Sequence, residues 1–202
     1  MTREGSATGP SNGSDATSTT PPVLAVVRVT GPSDAGKTTL VERLVTELAG
    51  EYTVATVKSI HHEIEPDTPG TDTHRHRTAG AASVVGITPT LSFEVSPIGA
   101  DAEGGADADD PDGSDDPDAT DATTESDAAK RAALYETLRR FADRGYDLVL
   151  LEGFSGTPFP TIRFGEPTDS ESEGDVIATG DEEFSRILAA VRGVEATTLD
   201  DA

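Results

Sequence analysis

A chain of 202 residues with 38 Asp and Glu against 15 Lys and Arg, net charge −23, presents a surface that repels nucleic acid and anionic membranes. It has no cysteine, which excludes disulfides, thiolate metal sites and a Cys nucleophile. No apolar run approaches about 18 residues and no charged-then-apolar leader is present, so neither a membrane span nor a signal peptide is expected, and the cytoplasm is the expected compartment.

Residues 1–21 are mostly Ser, Thr, Gly, Pro and Asp, a composition that cannot bury enough apolar surface to order a chain. They read as a disordered segment ahead of one α/β domain spanning 22–194, with 195–202 frayed. The first element of that domain is an apolar, β-branched strand from Val23 to Thr30. It runs into GPSDAGKTT, residues 31–39. The spacing G-x-x-x-x-G-K-[ST] is that of a phosphate-binding P-loop. Each residue type has a physical task there. Gly31 and Gly36 admit backbone angles that a Cβ forbids, so successive N–H groups of Ser33, Asp34 and Ala35 can turn in around an anion. Lys37 brings a point charge to the β- and γ-phosphates. The Thr38 hydroxyl is a Mg²⁺ ligand, and Thr39 opens the following helix, whose dipole favours an anion. Chance alone produces these fixed positions in roughly 1% of chains of this size, so a nucleoside triphosphate with Mg²⁺ is the expected ligand.

Leu40, Val41, Leu44, Val45 and Leu48 recur at helical spacing, predicting a helix from Lys37 to about Ala49 with Gly50 as its C-cap. A strand is predicted over 52–58. The next stretch, 58–83, holds all four histidines of the chain. Pro66, Pro69 and Gly70 make 59–71 a loop, and Asp72 or Thr73 is the expected N-cap of a short helix ending near Gly80. Titratable groups on a loop beyond a strand's carboxyl end are where α/β sheets place ligands. Lys58, His61, His62, Asp67, Asp72, Arg75 and Arg77 are therefore candidates for contact with a ligand or a partner molecule. His and Asp spacing here does not match a zinc site.

Strands are predicted over 83–87 and 90–95, the second alternating as at an edge or exposed face. Residues 99–127 are Gly, Ala, Pro, Ser, Thr and acidic residues and read as a disordered acidic insertion. A helix is predicted over 126–144, with Ala129, Ala132, Ala133, Tyr135, Leu138 and Phe141 inward. Leu148 to Leu151 form a buried strand that ends in Glu152, the Walker B position, which holds or orients Mg²⁺ in P-loop proteins. Gly153 then lets the backbone pass close to the ligand. Short strands are expected at 161–164 and 175–178, and a last helix capped by Asp181. Acidic residues also fall in the folded segments, at Glu42, Glu47, Glu51, Glu136 and Asp143. This gives the whole chain a halophilic character, in which high salt screens self-repulsion.

Three blocks resemble the MobB family, GTP-binding adaptors of molybdopterin-guanine dinucleotide biosynthesis: GPSDAGKTTL at 31–40, KSIHH…DTPGTDTHRHRTAGA at 58–81, and LEGF at 151–154. The resemblance implies a P-loop NTPase fold, a mainly parallel sheet flanked by helices, and a homodimer. It also implies GTP with Mg²⁺, at most slow hydrolysis, and a partner guanylyltransferase acting on a molybdopterin-type ligand. It assigns no catalytic residue. The chain departs from the family pattern at Ser59, Ser155 and Thr161, where His, Lys and Lys are usual. Two other readings fit the same scaffold: a small-molecule kinase or ATP-dependent ligase, and a metallochaperone GTPase that carries metal on its histidines.

Overall fold

A computed structural model describes residues 23–62, 64–98, 119–166 and 174–199. The readings of 1–21 and of most of the acidic insertion as disordered lie outside these residues. The described chain is an α/β fold whose principal sheet has the strand order β2-β5-β1-β6-β7, with β8 added beside β1. The strands are β1 (Val23–Thr30), β2 (Val54–Lys58), β5 (Leu148–Glu152), β6 (Thr161–Arg163), β7 (Val176–Thr179) and β8 (Thr197–Thr198). All pairings in the five-strand path are parallel, and only β8 runs antiparallel, against the start of β1. A parallel sheet needs cover on both faces. Here α1 (Lys37–Leu48) and α4 (Phe184–Arg192) lie on one side and α3 (Ala119–Asp143) on the other.

Alternation along β1 assigns its residues to the two cores. Val27 and Val29 meet Leu40, Val41, Leu44 and Leu48 of α1 and Ile187 and Val191 of α4. Leu24 and Val26 meet Leu134, Tyr135, Leu138 and Ala142 of α3. The central strand β5 is buried along its whole length, which accounts for its unbroken apolar sequence.

Several boundaries and roles differ from expectation. The helix α3 begins at Ala119, inside the segment read as disordered, because the run from Ala119 contains no Gly or Pro and continues into the amphipathic part. Its inward face centres on Leu134, Tyr135 and Leu138, while Ala132 is exposed. The C-cap of α1 is Ala49 rather than Gly50. The short helix α2 (Asp72–Thr78) is capped by Thr71, whose hydroxyl accepts from the His74 N–H at 3.4 Å. The N-cap of α4 is Glu183, not Asp181. Strands β3 (Val84–Ile87) and β4 (Ser92–Val95) form a separate antiparallel hairpin, outside the main sheet. Within the segment read as frayed, Thr197 and Thr198 pair with Leu24 and Val23.

Candidate functional site

The loop between β1 and α1 begins at Gly31, with φ 133, where a Cβ would collide with the backbone and side chain of Phe164. Asp34 takes φ 60 and Gly36 φ 95. The loop therefore curls back on itself, as an anion-binding concavity requires. Gly36 is the N-cap of α1 and offers no side-chain cap, so the first-turn N–H groups remain for an anion in the cleft. Lys37 Nζ donates to the carbonyls of Gly31, at 2.7 Å, and Pro32. Its charge is thereby held over the loop.

Register places the other charged groups. On adjacent parallel strands Val29, Glu152 and Lys58 stand side by side. Glu152 shares the face of Leu148 and Leu150, the face that packs on α1, and so looks toward the helix start. Thr38 Oγ1 donates to Glu152 Oε1 at 2.8 Å, and Lys58 Nζ reaches the same oxygen at 2.9 Å. Lys58 Nζ is also 3.5 Å from Thr38 Oγ1. Glu152 is 8% exposed, which makes this cluster of hydroxyl, carboxylate and ammonium the polar floor of the site. One hydroxyl and one carboxylate side by side suit a hard divalent cation that keeps several waters and takes its remaining ligands from phosphate oxygens. Thr38 and Glu152 would hold Mg²⁺, with Lys58 marking where positive charge is wanted.

The cleft over this floor measures about 560 Å³ and lies at the carboxyl edge of the sheet. Of the site residues expected from the sequence, Gly31, Ser33, Asp34, Gly36, Lys37, Thr38, Thr39, Lys58, His61 and Glu152 line it. Ala35 is in the loop but not in the lining. Thr30, Ser59, Gly153 and Ser155 also border it; of these, the sequence places only Gly153 beside a ligand. Gly153, at φ 88, makes its close approach to Ser59, whose Cβ would lie 3.0 Å from a Cβ added there. Ser59 N–H in turn donates to the Glu152 carbonyl.

Of the remaining loop candidates, Asp67, Asp72, Arg75 and Arg77 make contacts within the loop and α2. Glu65 pairs with Arg77 and lies 3.6 Å from His74 Nε2. Asp67 accepts from the Thr68 N–H and the Thr71 hydroxyl. Arg75 and Asp72 form an exposed pair on successive turns. His62 is exposed and away from the cleft lining. Among the described residues no group of three or more His, Cys, Asp or Glu side chains could hold a metal ion. The Glu65 carboxyl is held below its ordinary range by the Asp67 N–H and then by Arg77. The Asp67 carboxyl is lowered by the hydroxyl of Thr73 and by the Thr68 N–H.

A buried cation lies behind the cleft. Arg28 on β1 is fully enclosed. Its Nε donates to Thr161 Oγ1 at 3.0 Å and a terminal nitrogen donates to the Phe154 carbonyl at 3.1 Å. Phe154 is in the left-handed region, at φ 59. Arg28 thus fastens the turn that follows Glu152 to the neighbouring strand.

Comparison with known proteins follows the same lines. Residues 26–96 match the family model described as MobB, molybdopterin guanine dinucleotide synthesis protein B. A stretch of 63 residues is 36% identical to the molybdopterin-guanine dinucleotide biosynthesis adapter protein of Haemophilus influenzae, covering 31% of this chain and 35% of that one. The match therefore spans about a third of that relative's length. A crystal structure of molybdopterin-guanine biosynthesis protein B superposes with a TM-score of 0.52 at 21% identity, over 83% of this chain and 96% of that one. At that identity the likeness establishes the shared fold.

Proposed function

We propose, from the match of residues 26–96 to the family model described as MobB, molybdopterin guanine dinucleotide synthesis protein B, that the chain is a GTP-binding adaptor of molybdenum cofactor biosynthesis. In this reading it binds GTP with Mg²⁺ in the cleft at the carboxyl edge of the sheet and assists a partner guanylyltransferase in the cytoplasm. The observation that carries the reading is the convergence of the phosphate loop with Thr38, Glu152 and Lys58 at one edge of the sheet. The loop N–H groups and Lys37 hold the phosphates, and Thr38 and Glu152 anchor the cation. When bound, Mg²⁺ neutralises charge on the β- and γ-phosphates. Lys58 supplies a positive charge at the same carboxylate. Hydrolysis is slow at most in this account, since binding and presentation of the nucleotide suffice for an adaptor.

Calorimetric titration of the full chain with GTP and Mg²⁺ at high salt tests it. Saturable binding in the wild type is expected, with a loss of at least about tenfold in Lys37→Ala, the scale of one charge-assisted contact. The far-ultraviolet circular dichroism should be unchanged. Affinity retained within a few-fold would overturn the assignment. Adding a molybdenum-cofactor guanylyltransferase to the same titration tests the adaptor role, which fails if no complex forms in any nucleotide state.

A further inference from the structure

Of the chain's three lysines, Lys37, Lys58 and Lys130, two border the phosphate cleft. They are engaged differently. Lys37 Nζ is folded onto the carbonyls of Gly31 and Pro32. Lys58 Nζ sits on the groups that suit a divalent cation, 2.9 Å from Glu152 Oε1 and 3.5 Å from Thr38 Oγ1. Register brings it there, since Lys58 and Glu152 are Cα partners on adjacent parallel strands. Mg²⁺ holds its oxygen ligands at about 2.0–2.1 Å. A metal ion on the same two oxygens and this ammonium would crowd one another, and like charges so close repel strongly in a site of reduced dielectric.

We propose that Lys58 is the resident counter-cation of the site: its ammonium takes the cation position while the cleft is empty and makes entry of Mg²⁺ depend on a nucleoside triphosphate. The proposal rests on the nucleotide-binding reading of the cleft and adds to it an order of loading. Glu152 is 8% exposed, and a carboxylate so enclosed needs a positive partner in every state. With the cleft empty, Lys58 is that partner. A single carboxylate already paired in this way has little to offer Mg²⁺, which gives up its waters reluctantly and binds through one or two carboxylates plus substrate phosphates. A triphosphate shifts the balance. It supplies further oxygen ligands for the cation and a new anion for the displaced ammonium.

The residue type and its surroundings suit such a displacement. Lysine carries a compact charge on a flexible four-carbon stem, whereas the planar fork of an arginine is held by its own geometry. The Lys58 side chain is 55% exposed against 11% for that of Glu152, so Lys58 is the partner with room to move. It borders both the cleft and an apolar groove lined by Val41, Val45, Val57 and Leu150. Its stem therefore has apolar surface to lie on when the ammonium leaves Glu152. Lys37 cannot exchange in the same way, because its contacts in the loop are with neutral carbonyls.

The experiment measures binding of Mn²⁺, a paramagnetic stand-in for Mg²⁺, to nucleotide-free full-length protein by electron paramagnetic resonance at high salt. It compares the wild type, Lys58→Met, Lys58→Gln and the double variant Lys58→Met/Glu152→Gln, which reports uptake by the acidic surface alone. Wild type should bind no more Mn²⁺ than the double variant. Lys58→Met and Lys58→Gln should each gain a site at least about tenfold tighter than that background, the scale of one charge-assisted contact. The Gln variant keeps a donor for Glu152, which covers the case in which circular dichroism shows Lys58→Met unfolded by its unpaired carboxylate. Calorimetry with GTP reads the coupling: in the folded variants the Mg²⁺ concentration for half-maximal binding should fall several-fold, and binding without Mg²⁺ should weaken. No added Mn²⁺ site in a folded Lys58 variant would overturn the proposal, as would a tight site already present in nucleotide-free wild type. Failure of the wild type to bind GTP with Mg²⁺ would overturn the nucleotide-binding reading and the coupling with it, a result separate from any Mn²⁺ titration without nucleotide.

Discussion

Glu152 illustrates how one side chain acquires several duties from its register. It closes the central strand, faces α1, and takes both a hydroxyl and an ammonium on one oxygen. Glu152→Gln keeps the shape and removes the charge. The concentration of Mg²⁺ needed for half-maximal nucleotide binding should rise by about tenfold, in line with other losses around a bound cation, while binding without Mg²⁺ changes little. An unchanged Mg²⁺ titration would make Glu152 only a strand-end residue. Arg28 predicts a different response. Arg28→Met removes at least the hydrogen bonds to Thr161 and Phe154 inside the fold and should cost about 2 kcal/mol or more, read as a lower denaturation midpoint. The loop spacing and a carboxylate ending an apolar strand were legible from the sequence because each is a local pattern. Arg28 was not read as part of the site's support, although it is the one charge in the β1 run. Two of its partners, Phe154 and Thr161, are more than a hundred residues away. The same distance hid the contact of Phe164 with Gly31 from any reading that starts at the phosphate loop.

At the scale of elements, alternation and helical spacing located β1, α1, β2 and β5 within a residue or two, because their apolar pattern is strong. Caps were less legible: α2 starts one residue early because Thr71 both caps it and accepts a place in the Asp67 turn. The hairpin β3–β4 was visible as two strands, but pairing between strands is not written in either one. The loop leading to α2 has its own pH response. Glu65 and Asp67 have lowered folded-state pKa values, so their contribution to holding the loop is present above the ordinary carboxylate range. It is lost as the pH falls through the lowered values. Amide exchange at Thr68, Thr71 and His74 should accelerate on acidification below that range, relative to amides in β5. Asp67→Asn should remove much of this pH dependence. Equal acceleration in β5 would mean global acid unfolding instead.

For the whole molecule, charge and connectivity are the governing features. Residues 100–118 contain nine Asp and Glu, no basic residue and no large apolar side chain. Their replacement by a short Gly-Ser linker, leaving α3 intact from Ala119, should leave GTP affinity unchanged and lower the salt needed for folding, because net repulsion falls. Loss of nucleotide binding in a folded variant would assign that segment a part in the site. Connectivity bears on the order of events. The strand that carries the phosphate loop is made first, yet its neighbours are residues 148–152, 161–163 and 197–198. On a ribosome, the apolar residues of β1 emerge long before any strand that can flank them. The sequence separation of these pairings makes sheet closure slow relative to local helix formation. The nascent chain therefore has α1 and its loop available early, but a phosphate cleft only after β5 has been released. Most of the domain must be synthesised before β1 has a strand beside it, and an apolar strand left without a partner over that interval is the segment most exposed to aggregation.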